Sequence, residues 1–91
     1  MRQAFDRVWD RILDLQGSEF STVTGLSFTY IVSGNGLHPS RAKQRIGRSD
    51  FEKAAPMMDS IRGPGDIANL VRGSAYVFAI LSDPRVVGRG H

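Results

Sequence analysis

The sequence predicts an α+β domain: an N-terminal helix, a three-stranded antiparallel meander, then two or three short helices, the last one buried. Three observations carry that prediction. Apolar residues recur at three- and four-residue spacing over residues 2–16 and switch to a period of two from Glu19. Turn formers interrupt the following stretch at Gly25-Leu26 and at Ser33-Gly34-Asn35-Gly36. The run Ala75–Leu81 carries no charge and has almost no polar atom, so neither side of it rests in water.

Residues 2–16 read as an amphipathic helix. Phe5, Val8, Trp9, Ile12 and Leu15 or Gln16 form its apolar stripe, and Asp6, Arg7, Asp10, Arg11 and Asp14 fill the other side. Arg7–Asp10 and Arg11–Asp14 stand at i,i+3. Gly17 is placed to end the helix in the left-handed conformation. Trp9 and Phe5 read as core, with a subunit contact as the other reading.

Phe20–Thr24 and Ser27–Val32 are rich in β-branched and aromatic residues and read as two strands. In the second, Phe28, Tyr30 and Val32 share one face. A third strand is expected from about Leu37, with Pro39 at an edge or breaking it. Ser49-Asp50-Phe51-Glu52 has the spacing of a capping box, so a helix is expected from Asp50, ending near Ala55 or kinking at Pro56. Pro64 fits the first turn of a short helix carrying Ile67, Leu70 and Val71 and closed by Gly73. For residues 75–82 a short buried helix is preferred to a central strand, with Ser74 as its cap and Asp83-Pro84 as its stop. Residues 87–91 read as a flexible end of a single domain spanning 1–91.

The 91 residues contain no cysteine, which excludes disulfides and thiolate metal sites and agrees with a reducing compartment. No segment approaches the roughly 20 apolar residues of a membrane span, and the N-terminus does not resemble a signal peptide. The expectation is a soluble, cytoplasmic domain with no membrane partner. The net charge of +3 is concentrated: residues 34–50 hold Arg41, Lys43, Arg45 and Arg48 against Asp50 alone, and elsewhere cations and acids balance.

That basic segment is the first candidate site. If residues 40–46 are extended, Arg41, Lys43 and Arg45 lie on one face beside a hairpin, as a wing tracking phosphates would. Arg48 stands next to the expected helix start. The plain alternative is a solvated loop. The Arg72-Gly73-Ser74-Ala75-Tyr76 junction is a weaker second contact, in which Arg72, Ser74 and Tyr76 flank a helix N-terminus. The plain reading there is Ser74 as a cap and Tyr76 as a core aromatic.

Catalytic signals are weak. His38 and His91 have no acidic companions at metal-ligand spacing, Gly-x-Ser-x-Gly is absent, and Ser33-Gly34-Asn35-Gly36 lacks the lysine of a phosphate loop. The expectation is a protein that is not an enzyme and has no metal or cofactor.

Three stretches carry a resemblance: Phe20-x-Thr22-x-x-Gly25-x-x-Phe28-Thr29-Tyr30, then Arg48-Ser49-Asp50-Phe51-Glu52-Lys53-Ala54, then Gly73-Ser74-Ala75-Tyr76-Val77-x-Ala79-Ile80-Leu81-x-Asp83-Pro84-Arg85-Val86. With these, residues 17–86 resemble a family of small uncharacterised bacterial α+β domains of the kind carried on mobile integron gene cassettes. The resemblance implies a fold and a mobile or defence-type genetic setting, where small DNA-binding and regulatory proteins are frequent. It also marks Asp83 and Arg85 as a structural pair.

The function expected is a small non-enzymatic binding or regulatory module that engages nucleic acid through the basic hairpin segment. The alternative is a protein-interaction or small-ligand-binding regulatory domain acting as a homo-oligomer.

Overall fold

In the computed structural model, which describes residues 2–87, the first helix, α1, spans Arg2–Asp14. Phe5, Trp9 and Ile12 of the expected stripe are buried, while Val8 and Leu15 pack partly against the core. The i,i+3 charge pairs do not form. Among the described residues neither Arg7 nor Arg11 enters an ion pair, and Arg11 instead donates to the Val86 carbonyl, tying α1 to the far end of the chain. Gly17 has φ 85°, the left-handed conformation expected of it, and its N–H donates to the Tyr30 carbonyl at 3.1 Å.

The expected three-stranded antiparallel sheet is present, but its strands are assigned differently. Strands β1 (Phe20–Ser21) and β2 (Ser27–Phe28) form a separate hairpin around Gly25, with Phe20 opposite Phe28. Strands β3 (Tyr30–Ser33), β4 (Gly36–Pro39) and β5 (Ile46–Gly47) form the sheet, in that order. The run 27–32 is divided at Thr29 because Ser40 takes both of its main-chain groups. The Thr29 N–H donates to Ser40 Oγ at 3.0 Å, and the Ser40 N–H donates to the Thr29 carbonyl at 2.8 Å. The third strand comes from Ile46–Gly47, inside the basic segment.

Register explains Pro39. Thr29 and Ser40 are a hydrogen-bonded pair, so Tyr30 and Pro39, one step along, are not. The Pro39 nitrogen therefore points away from β3, past the end of β5, and its missing donor costs no ladder bond. The same alternation aims Tyr30 and Val32 main-chain groups at the outer edge of β3. There Gly17 supplies the Tyr30 carbonyl, and the Val32 N–H donates to Gln16 Oε1 at 2.7 Å. The end of α1 thus covers an edge strand that would otherwise invite a second chain.

The helix α2 covers Arg48–Ala54 and starts two residues before the expected point. Its N-cap is Gly47, whose N–H donates to Asp50 Oδ2 at 3.2 Å, so Asp50 does what Glu52 was expected to do and Ser49 is not the cap. The cause is β5: the chain leaves the strand at Gly47 and turns directly into the helix. Pro56 falls in a 3-10 turn over Ala55–Met57, where a missing N–H is tolerated. A second 3-10 turn, Pro64–Ile67, buries Ile67, and Val71 follows it into the core while Leu70 stays outside.

The uncharged run is helical: α3 spans Ser74–Leu81, with Val77, Ala79, Ile80 and Leu81 buried. Gly73 is its N-cap, at φ 58° and ψ 44°, and Ser74 is the first helical residue with no capping bond, contrary to the expectation for Ser74. The last helix, α4, is Pro84–Val87, so Val87 belongs to the fold and not to a tail. The remainder of the expected flexible end, 88–91, lies outside the described residues.

The core holds two aromatic groups. Trp9 sits between Phe5 and Phe51, with ring centres 6.3 and 5.8 Å away. Phe20 packs on Phe28 and Tyr30 at 5.9 and 5.4 Å, and Phe28 meets the edge of Tyr76 at 4.9 Å. Tyr30 closes the sheet onto α1: its hydroxyl donates to the Ile12 carbonyl at 2.6 Å, and burial pushes its pKa upward.

Candidate nucleic-acid interface

Residues 40–45 are not a strand. The chain turns at Ser40–Arg41, with the Ala42 N–H donating to the Pro39 carbonyl, and becomes extended only at Ile46. The strict alternation that would set Arg41, Lys43 and Arg45 on one face is therefore absent. Arg41 is exposed and its Nε donates to the Ser27 carbonyl, on the outer edge of β2. Arg45 is exposed and lies across Gly36, where a Cβ would run into its guanidinium Nε. Lys43 is exposed between them.

Arg48 belongs to a different environment. Its Nη2 pairs with Asp6 Oδ1 at 2.6 Å, and its guanidinium lies 5.4 Å from the Phe5 ring centre and 5.6 Å from that of Trp9. The group caps the first aromatic cluster and links α2 to α1, a cation–π seat whose charge is already balanced. Arg48, read in the sequence as a phosphate contact, thus pairs with Asp6 over the α1 aromatics.

The two candidate regions, 25 residues or more apart in sequence, meet at Gly73. A Cβ on Gly73 would stand 2.6 Å from Ile46 Cδ1 and 3.7 Å from Gln44 Oε1, so the end of the basic loop crosses directly over the start of α3. Arg72, just before it, is exposed. Ser74 is half-buried and makes no hydrogen bond through its hydroxyl among the described residues. Tyr76 is half-buried with its ring edge-on to Phe28, the core placement of the plain reading. The ion pairs among the described residues are Arg48–Asp6 and Arg85–Asp83, and Arg41, Lys43, Arg45 and Arg72 are among the cations outside them.

Arg85, which the sequence marked only as one half of a structural pair, is held on several sides. Its Nε and Nη2 donate to the two Asp83 oxygens at 3.0 and 2.9 Å, Nη2 also donates to the Glu19 carbonyl at 3.0 Å, and the group lies 4.5 Å from the Phe20 ring centre. Its hydrogen bonds hold the Asp83 carboxyl below the usual carboxylate range despite opposing desolvation. The two aromatic clusters are thus each capped by an arginine with its own aspartate. Only spacing hinted at this, because the rings beneath come from residues up to 65 positions away.

His38 lies half-buried in β4 opposite Ile31, and among the described residues no three His, Cys, Asp or Glu side chains are grouped so as to hold a metal ion. No helix among them is long and apolar enough to cross a membrane. Comparison with protein-family models, curated proteins and solved structures gives no match.

Proposed function

We propose that this protein is a small non-enzymatic module that binds nucleic acid phosphates through Arg41, Lys43, Arg45 and Arg72, with Ser74 a lesser contact at the start of α3. The observation that carries the reading is the division among its cations. Arg48 and Arg85 are spent on aspartates and aromatic rings, whereas these four are exposed, belong to no ion pair among the described residues and, unlike Arg7 and Lys53, which share both properties, come from two segments that meet at Gly73. Guanidinium and ammonium groups without acid partners are the usual phosphate ligands of such modules. The resemblance to domains of mobile gene cassettes, where small DNA-binding proteins are frequent, points the same way.

The test is fluorescence anisotropy with a short labelled duplex over a salt series. Four phosphate contacts give a log–log salt slope of about −3.6. Reversing Arg41, Lys43 and Arg45 to Glu abolishes binding while the circular dichroism spectrum is kept. Absence of binding at low salt refutes the reading.

A second reading, a protein-interaction or small-ligand-binding regulatory domain acting as a homo-oligomer, draws on exposed apolar side chains. Val23 and Leu26 at the tip of the β1–β2 hairpin are 61% and 50% exposed, and Ile31 on β3 is 62% exposed. Its mark is a solution mass of two or more chains that falls to one on Val23→Lys with Ile31→Lys.

A further inference from the structure

An open surface groove lies beside the β1–β2 hairpin, lined by Glu19, Ser21 and Ser27 on the hairpin side and by Ser82, Asp83 and Arg85 at the α3–α4 junction. The register fixes what that edge offers. The Thr22 N–H donates to the Leu26 carbonyl, so 22 and 26 are a hydrogen-bonded pair, and Phe20 with Phe28 is the next one. Ser21 and Ser27 lie between them, and their main-chain groups turn outward. Two neighbours show the same alternation: the outward carbonyl of Ser27 receives Arg41, and that of Glu19 receives Arg85. Arg41 and Arg85 fill those positions, whereas among the described residues nothing bonds the outward Ser21 N–H or carbonyl, and Ser21 is one of the residues lining the groove.

We infer that this groove receives an extended peptide, which exchanges a pair of main-chain hydrogen bonds with Ser21 and thereby adds a strand to the hairpin. A main-chain donor and acceptor side by side on a strand edge select an extended backbone. The charge at the rim selects the side chain. Asp83 is neutralised by Arg85, while Glu19 enters no ion pair among the described residues, so the groove is net negative and takes a basic residue. Ser27, whose carbonyl receives Arg41, also lines this groove, so the site adjoins the proposed phosphate contact at Arg41.

The test is a ¹⁵N–¹H spectrum of the whole protein titrated with acetyl-Thr-Val-Lys-Val-Thr-amide. Saturable shifts centred on Glu19 and Ser21 are expected, weakened about tenfold or more when every peptide nitrogen of the probe is methylated. A probe with Glu for Lys binds more weakly to the native protein and equally to Glu19→Gln. Ser21→Pro removes the outward N–H without touching a hairpin bond and abolishes the shifts; if that variant does not fold, the methylated probe decides. No shift at millimolar probe, shifts elsewhere, or an affinity unchanged by complete methylation overturns the site. A Lys preference that survives Glu19→Gln overturns its charge assignment.

Discussion

Two side chains show how single polar groups are built into this small core. The Tyr30 hydroxyl reaches a helical carbonyl, Ile12, that already belongs to the α1 ladder, and both are shut away from water. Tyr30→Phe keeps the ring contact with Phe20 and strips the carbonyl of its second donor, and should cost about 1–1.5 kcal/mol in urea denaturation. Asp83 acts through its charge. Its folded pKa lies below the ordinary 3.8, so its contribution to stability is complete at neutral pH and is lost as the pH falls past 3.8 and through the depressed folded value. Asp83→Asn should therefore cost about 1 kcal/mol at pH 7 and progressively less as the pH falls below 3.8, measured as urea midpoints across that range. The Glu19 carbonyl and the Phe20 ring remain for Arg85, which keeps the loss small.

Two glycines show what junctions between elements require. Gly73 combines a positive φ with the close approach of Ile46, a fully buried side chain that cannot move aside cheaply. Gly73→Ala should cost well over 1 kcal/mol, because backbone strain of about 1–2 kcal/mol adds to the displacement of Ile46. Gly36 presents an even shorter approach, yet its neighbour is the guanidinium of an exposed arginine and its φ is ordinary. Gly36→Ala should change the melting temperature little and release Arg45 to solvent. Thermal melts of the two variants separate a crowded backbone from a crowded flexible tip. The strands follow the same logic. Among the described residues none is longer than four residues, and Gln16, Arg41, Arg85 and the turn after α1 take main-chain groups along their edges, with Ser21 on β1 left over.

The chain has a radius of gyration of 11.8 Å, close to the roughly 12 Å expected of a folded chain this long. Both aromatic clusters share one set of buried neighbours: α1 carries Trp9 in the first and supplies through Ile12 the partner of Tyr30 in the second. Neither half has a core of its own, so unfolding should be a single transition. The only tryptophan, Trp9, reports the first cluster, and its fluorescence midpoint in urea should coincide with that of far-ultraviolet circular dichroism. Distinct midpoints would show that the hairpin side opens separately.

Much of this architecture was legible in the residues themselves. The stripe of α1, the stop at Gly17, the turn at Gly25, the alternation of Phe28 and Tyr30, and the burial of Val77, Ala79, Ile80 and Leu81 all follow from local chemistry: apolar spacing and backbone freedom act within a few residues. The basic segment could be located in the same way, since charge is a property of composition. Which cations face water could not. Arg48 was lost to Asp6 and Trp9, some 40 positions away, and Arg85 was seated on Phe20. Thr29 left its strand for Ser40, and Ile46 became a strand only by pairing with Leu37 and pressing on Gly73. Each of these is settled by partners brought near in space, and a side chain with several acceptable partners takes the one that folding delivers.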